Sequence, residues 1–197
     1  MVEGVVLAAG ESKRTAPDCK LAFKLGKWTL LEESIDGMRP YCKHVLVVTG
    51  AHDETIMRIL DGTTDVEPVH NPNHAGGMLT SIKTGLRRTL ADRVFILPGD
   101  CPFAAPQVYE ALLKAQGRVV IPTCHGRDGH PVLLQREAID ELLRDKQCQT
   151  LREFIAGQTV LRIAVDCSGI LRDIDTRDAY LREKRRMNKD ESGRCRQ

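Results

Sequence analysis

Short apolar segments rich in Val, Ile and Leu alternate with helical patterns along almost the whole chain. The first of them, Val2–Ala8, has the β-branched character of a strand buried on both faces, as in parallel sheets. This alternation predicts an α/β fold: a doubly wound, mostly parallel sheet with helices on both faces. The other predicted strands are His44–Thr49, Val66–Val69, Arg93–Leu97, Arg118–Pro122 and Leu161–Asp166. The predicted helices are Thr29–Met38, Glu54–Leu60, Leu79–Thr89, Pro106–Lys114, Arg136–Arg144 and Thr150–Ile155.

The first predicted strand ends in small residues and runs into a basic loop. Residues 7–10 read Leu-Ala-Ala-Gly, so a ligand can lie directly against their peptide N–H groups. Ser12 and the cations Lys13, Arg14 and Lys20 add a hydroxyl and three positive charges. Because parallel sheets bind ligands at the carboxyl ends of their strands, the loop predicts a site for a phosphorylated anion.

Two common phosphate-binding motifs do not fit this loop. The dinucleotide-binding pattern G-x-G-x-x-G needs three glycines, and only Gly10 is present. A Walker-type loop needs Gly-Lys followed by Ser or Thr, whereas Gly26-Lys27 precedes Trp28. The local sequence leaves one alternative open, a tight turn with a solvated basic face.

Acidic residues follow the strand pattern later in the chain. Asp100 comes soon after a predicted buried strand, so its carboxylate faces the same edge of the sheet as the basic loop. Asp173 and Asp175 flank an apolar residue and would point to one face of an extended segment. Mg²⁺ commonly takes one or two carboxylates plus substrate phosphates, so we predict Asp100 and Asp173 as its ligands, with Asp175 as the alternative. Thr176 or Asp175 would cap the next helix, and capping by both acids is the competing interpretation.

These parts predict chemistry on a phosphorylated substrate. Arg14 and Lys20 would neutralise its phosphates, and Asp100 would hold the metal ion. A phosphate monoester acceptor is already ionised at neutral pH, so the chemistry needs no general base.

Composition excludes several other classes of protein. The 197 residues are 42% hydrophobic, without a membrane-length apolar run or an apolar leader, so no membrane contact is predicted. Seven cysteines without a C-x-x-C pair indicate reduced thiols in a cytoplasmic protein.

We assign residues 1–182 to one domain and 183–197 to a basic tail, predicted to be disordered. No aromatic residue accompanies the tail's charge, so nucleic-acid binding is not predicted.

The motifs as a set resemble those of one known family. Leu-Ala-Ala-Gly-x-Ser-x-Arg followed by a lysine is similar to the signature loop of nucleotidyltransferases that attach CMP or GMP to molybdopterin. The further matching motifs are Asn71-Pro72, Gly77-Met78-x-x-Ser81, Pro98-Gly99-Asp100-Cys101-Pro102, Gly129-His130-Pro131-Val132 and Asp173-Ile174-Asp175-Thr176. The last two of these are similar to motifs of the molybdenum cofactor cytidylyltransferase branch. The resemblance covers roughly residues 2–182.

The resemblance implies an enzyme that transfers an NMP, most readily CMP from CTP, to a phosphorylated acceptor such as molybdopterin. It implies Mg²⁺ as cofactor, release of pyrophosphate, and transient contact with a molybdoenzyme or its chaperone. Arg127 and His130 are the implied acceptor contacts, and Arg14, Lys20 and Asp100 the catalytic residues. The residues expected around the nucleotide are Leu7, Ala8, Ala9, Gly10, Ser12, Arg14, Lys20, Gly77, Met78 and Ser81.

Two departures bear on activity and base preference. Thr15-Ala16 stands where the family usually has Met-Gly, which adds a methyl group near the phosphates. Ala9 stands where guanylyltransferases tend to carry glycine, and the smaller space favours a pyrimidine base. A transferase for sugar or polyol phosphates, or a non-catalytic nucleotide-binding maturation factor, are the alternatives.

Overall fold

The computed structural model describes residues 1–194, and the side chains of residues 1–187. The strands are Val2–Ala8 (β1), Lys24–Leu25 (β2), Trp28–Thr29 (β3), His44–Thr49 (β4), Val66–His70 (β5), Arg93–Pro98 (β6), Val119–Cys124 (β7), Arg127–Asp128 (β8), Val132–Gln135 (β9) and Val160–Ala164 (β10). The α-helices are Leu30–Met38 (α1), Asp53–Leu60 (α2), Met78–Leu86 (α3), Pro106–Lys114 (α4), Arg136–Arg144 (α5), Leu151–Ala156 (α6) and Arg177–Arg194 (α7).

The main sheet has eight strands and is mostly parallel, which confirms the predicted α/β class. Its order is β10-β7-β9-β6-β1-β4-β5, with β8 paired to β7 and with β2 and β3 forming a separate hairpin. The neighbours of β1 are β4 and β6, and both run parallel to it. The carboxyl ends of these three central strands therefore meet at one edge of the sheet, where the predicted site residues of β1 and β6 converge.

Both faces of the sheet are covered, as the sequence predicts for a doubly wound fold. Along β1, Val6 packs on one face with Leu31 of α1 and Leu112 of α4. Val5, one residue earlier, packs on the other face with Ile82 of α3. Successive side chains of a strand point to opposite faces, so the part of a strand that is covered on both sides is apolar on both faces.

Several elements differ from the sequence prediction. Strands β2, β3, β8 and β9 are absent from the predicted set, and β9 lies antiparallel between β6 and β7. It spans only Val132–Gln135, which is too short for a clear alternating pattern.

The basic segment after Leu181 is a further difference. Helix α7 continues through it to Arg194, across the predicted domain boundary at 182/183, whereas the sequence suggested disorder. Met187 packs against a small apolar cluster that contains Leu25, and Glu183 pairs with Arg172 at 3.1 Å. Contacts with residues distant in sequence thus accompany a helix that lacks apolar periodicity of its own. Residues 195–197 of the predicted tail lie outside the described residues. Among the described helices, none has the length and apolar character needed to cross a membrane.

Candidate active site

A cleft of about 390 Å³ opens at the carboxyl ends of β1 and β6. One wall is the loop after β1, and the opposite wall is the start of α3 with the turn before it. The lining residues are Leu7, Ala9, Gly10, Glu11, Ser12, Lys13, Lys20, Leu21, His74, Ala75, Gly77, Met78, Ser81, Pro98 and Asp100.

The end of β1 forms the floor of the cleft. Leu7 and Ala9 line it, and Gly10 is exposed. Ala8 is buried in the core on the other face of the sheet, so its side chain does not line the cleft. The alternation of a strand explains this difference from Leu7 and Ala9, because every second side chain points away from a given face.

The loop from Ser12 to Lys20 is held closed by its own hydroxyl groups. Ser12 Oγ accepts the backbone N–H of Lys20 at 3.3 Å. Thr15 is 6% exposed, and its Oγ1 lies 3.0 Å from the carbonyl oxygens of Ser12 and Asp18. Thr15 is therefore buried within the loop. The methyl group of Ala16, which stands in place of the family's glycine, is exposed, and neither residue lines the cleft.

Asp100 is positioned by the turn that follows β6. The Gly99 N–H donates to the Leu7 carbonyl at 2.9 Å, and a Cβ at position 99 would lie 3.0 Å from that oxygen. Ser34 of α1 donates to the Gly99 carbonyl at 2.9 Å. Glycine is therefore needed for this close approach, which sets Asp100 beside the loop after β1.

The structure joins two of the predicted cations and two of the predicted acids into one ion-paired network. Lys20 Nζ contacts the carboxylate of Asp100 and lies 2.7 Å from Asp175 Oδ1. Arg14 Nη1 lies 2.7 Å from Asp175 Oδ2. Burial opposes the charge on Lys20, but the two carboxylates outweigh it and raise the Lys20 pKa. The hydrogen bond from Lys20 lowers the pKa of Asp175. Charge-assisted hydrogen bonds of this kind are among the strongest in proteins.

The two late acids have different surroundings. Thr176 Oγ1 accepts the N–H of Ala179 at 3.1 Å, so Thr176 is the helix cap and Asp175 is not. Asp173 makes no ion pair within the part of the chain that the structure describes. Partial burial, reinforced by the charges of Asp175 and Asp100, raises the pKa of Asp173. Asp173 is thus the freer of the two carboxylates, in agreement with the sequence interpretation.

The acidic groups are too few to hold a metal ion by themselves. No cluster of three or more His, Cys, Asp or Glu side chains suited to a metal occurs among the described residues. Asp100 and Asp173 supply hard oxygen donors and influence each other's charge across the site. A divalent ion would fit there only with further oxygen ligands, such as substrate phosphates.

The opposite wall contains the predicted Gly77, Met78 and Ser81. Gly77 has a φ of 98°, in the region that favours glycine, and Met78 is 62% exposed beside the cleft. Asn71 organises this wall: its Nδ2 donates to Ser81 Oγ at 3.0 Å and to Thr80 Oγ1 at 2.9 Å. The sequence analysis named Asn71 within a matching motif but gave it no role, and its position directly after β5 is the signal that places it at this wall.

His74 and Ala75 also line the cleft, although the sequence analysis did not select them. Both belong to a single 3₁₀ turn before α3. Such short turns carry no periodic pattern, and only their position between two matched motifs marks them.

The two predicted acceptor contacts are placed differently from each other. His130 is largely buried, which lowers its pKa, and the charge of Asp100 acts on it in the opposite direction. Its backbone N–H donates to the Ile170 carbonyl at 2.9 Å. Arg127 is exposed on β8, outside the cleft, next to Asp128, which pairs with Arg162. The structure therefore brings His130, but not Arg127, towards Asp100.

A family model, the MobA-like NTP transferase domain, matches residues 4–163. The chain belongs to this family. It is therefore a nucleotidyltransferase, as the resemblance implied, and its fold is that of its relatives.

Three relatives illustrate the range of the match. The chain is 24% identical over 187 residues to the molybdenum cofactor cytidylyltransferase of Escherichia coli (strain K12), covering 94% of this chain and 96% of that protein. It is 23% identical over 161 residues to a molybdenum cofactor guanylyltransferase of Shewanella woodyi, covering 79% and 76%. The crystal structure of Rv0371c from Mycobacterium tuberculosis H37Rv in complex with manganese superposes with a TM-score of 0.75. That comparison covers 93% of this chain and 97% of the other at 25% identity.

Proposed function

We propose that this protein transfers CMP from CTP to a phosphorylated acceptor, with molybdopterin as the acceptor, and releases pyrophosphate. The observation that carries the proposal is the network of Arg14, Lys20, Asp100 and Asp175, of which Lys20 and Asp100 line the cleft of about 390 Å³. The match to the E. coli cytidylyltransferase over nearly its whole length supports the choice of acceptor and nucleotide.

The cations suit a triphosphate and not an uncharged ligand. Lys20 and Lys13 both line the cleft, and Arg14 is linked to Lys20 through a shared carboxylate. A triphosphate carries several negative charges, which these side chains would offset in a partly desolvated site. Leu7 and Ala9 supply an apolar floor against which the rest of the nucleotide can pack.

Mg²⁺ fits the donor set of the same site. Asp100 and Asp173 would hold it, and the phosphates of the nucleotide would complete its ligands. The M. tuberculosis structure with manganese supports a divalent ion in this kind of fold. When bound, Mg²⁺ stabilises the charge that develops on the phosphates.

The reaction follows from these placements. An oxygen of the acceptor's phosphate forms a bond to the α-phosphorus of CTP, and the bond from that phosphorus to the bridging oxygen breaks. Pyrophosphate leaves with the electron pair of the broken bond, and Lys20 and Arg14 offset its charge. The attacking oxygen is already an anion at neutral pH, so no side chain has to remove a proton.

The preference for CTP rests on the space beside Ala9. Ala9 is 5% exposed and lines the cleft, so its methyl group takes up room that glycine would leave free. Size discrimination of this sort is worth roughly 1–3 kcal/mol, which makes GTP a poorer substrate without excluding it.

The described cysteines support a cytoplasmic setting. All six of them, Cys19, Cys42, Cys101, Cys124, Cys148 and Cys167, are free thiols. Reduced thiols are typical of proteins kept under reducing conditions. There the product would pass to a molybdoenzyme or its chaperone.

Pyrophosphate release with each of the common ribonucleoside triphosphates tests the proposal. The acceptors are molybdopterin and a panel of sugar and polyol phosphates, with Mg²⁺ present. We expect release that requires molybdopterin and is fastest with CTP. A matched reaction without acceptor separates transfer from hydrolysis of the triphosphate. Pyrophosphate release only with a sugar phosphate would show that the acceptor is a sugar phosphate and not molybdopterin. Tight CTP binding without pyrophosphate release would indicate a non-catalytic factor.

A further inference from the structure

Asp175 uses its two carboxylate oxygens for two different cations. Its Oδ1 lies 2.7 Å from Lys20 Nζ, and its Oδ2 lies 2.7 Å from Arg14 Nη1. The partners are 155 and 161 residues away along the chain. One side chain from the end of the domain therefore ties together two cations of the first loop.

We propose that Asp175 is a positioning residue that holds Lys20 and Arg14 as one preorganised unit for the triphosphate. The inference rests on the proposed function, because it assigns a task to a residue of the same site. It assigns Asp175 neither to the metal nor to the cap of α7.

The backbone around Asp175 is firmly held. The preceding Ile174 is fully buried, and its N–H donates to the Asp100 carbonyl at 3.1 Å. Thr176, the next residue, caps α7. Asp175 can therefore serve as a fixed anchor, whereas the cations it holds sit on a loop.

Arg14 gains most from such an anchor. Its side chain is 69% exposed, and Asp175 is its ion-pair partner among the described residues. A free arginine on the surface samples many rotamers, and ordering it when a ligand binds costs affinity. A carboxylate that orders the guanidinium beforehand removes much of that cost.

Metal binding by Asp175 competes poorly with this arrangement. Both of its oxygens already accept hydrogen bonds from cations, whereas Asp100 accepts one from Lys20 through Oδ2 alone. Asp173 lies two residues earlier on the same segment and has no ion pair among the described residues. The two acids thus form a matched pair with different surroundings.

Simple electrostatics and the proposal predict opposite changes in polyphosphate affinity for one substitution. Removing a negative charge beside a polyanion site should tighten the binding of polyphosphate if only charge matters. Removing the anchor should weaken it, because Lys20 and Arg14 lose their common partner. Asp175→Asn keeps the shape of the side chain and removes its charge, so it separates the two.

The experiment measures two probes on the full-length chain, with Asp173→Asn as the matched control. Inorganic tripolyphosphate without metal is titrated by calorimetry, and Mn²⁺ alone is titrated by electron paramagnetic resonance. We expect Asp175→Asn to weaken tripolyphosphate binding by about tenfold or more, as for loss of a charge-assisted hydrogen bond, and to leave Mn²⁺ binding unchanged. Asp173→Asn should weaken Mn²⁺ binding and leave tripolyphosphate binding unchanged. Asp175→Glu, which retains the carboxylate, should recover part of the tripolyphosphate affinity.

Two results would overturn the inference. One is tripolyphosphate binding by Asp175→Asn that equals or exceeds that of the wild type. The other is a loss of Mn²⁺ binding as large as that of Asp173→Asn. A crystal structure of unliganded Asp175→Asn separates this failure from failure of the proposed function. Lys20 and Arg14 in their wild-type positions would refute anchoring, whereas absence of nucleotidyl transfer by the wild type would refute only the function.

Discussion

Lys20→Met tests the assignment of the first-loop lysine most directly. The Lys20 side chain is 17% exposed, and it contacts Asp100, which is 14% exposed, and Asp175, which is 39% exposed. Methionine keeps the length of the side chain and removes its charge. Both carboxylates then lose a donor, and the more buried Asp100 has little access to water.

The magnitude follows from those exposures. Breaking a fully buried ion pair costs about 3–5 kcal/mol of stability. Because Asp175 can regain water, we expect the free energy of unfolding to fall by about 2–3 kcal/mol. A unit charge about 4 Å from a phosphate interacts by roughly 4 kcal/mol at an effective dielectric constant near 20. Allowing for rehydration, CTP binding should weaken roughly 30- to 150-fold.

The assay compares CTP with cytidine by calorimetry, below the melting temperature of the variant. Cytidine lacks phosphates, so its affinity should change by less than about threefold. Lys13→Met is the matched control, since Lys13 lines the same cleft but is 80% exposed and pairs only with Glu11 among the described residues. It should change CTP affinity far less. Equal weakening of CTP and cytidine by Lys20→Met would refute the placement of Lys20 on the phosphates.

Three further outcomes are expected. Asp100→Ala should abolish Mg²⁺-dependent turnover with the far-ultraviolet circular dichroism unchanged, and near-normal turnover would remove Asp100 from the metal site. Ala9→Gly should narrow the ratio of kcat/KM between CTP and GTP, by up to about tenfold; faster wild-type turnover of GTP than of CTP would contradict the base preference. Asp173→Asn should raise the free energy of unfolding at pH 7, because a raised native pKa means that stability is lost as pH rises through that pKa. Asp175→Asn should lower it, because a depressed native pKa contributes stability above the unfolded value, lost on acidification. Urea unfolding of these two variants at pH 7 measures whether each raises or lowers the free energy of unfolding.

Much of the fold was predictable because its signals are local. The strand His44–Thr49 and the helix Pro106–Lys114 have the predicted bounds, since each is marked by an apolar pattern or a proline at its start. Val132–Gln135 was not among the predicted strands, because a four-residue segment has too short a pattern of its own and forms a strand by pairing with its neighbours. The candidate site was likewise predictable where its signals are local. The small residues after β1 and the position of Asp100 after β6 indicated where a ligand would lie, before any contact was known.

The sequence alone determined the class of the sheet, the edge of the sheet at which the cleft lies, and the residue types gathered there. Those properties depend on strand periodicity and on the rule that parallel strands end at a common edge. Only the tertiary structure decided that Asp175 pairs with Lys20 and Arg14 while Thr176 caps α7. Only it showed Ala8 packed in the core and α7 continuing beyond residue 182, with Met187 packed on a cluster near Leu25. These choices depend on side-chain contacts between segments distant in sequence, and no local pattern encodes which of two neighbouring carboxylates will meet a given cation.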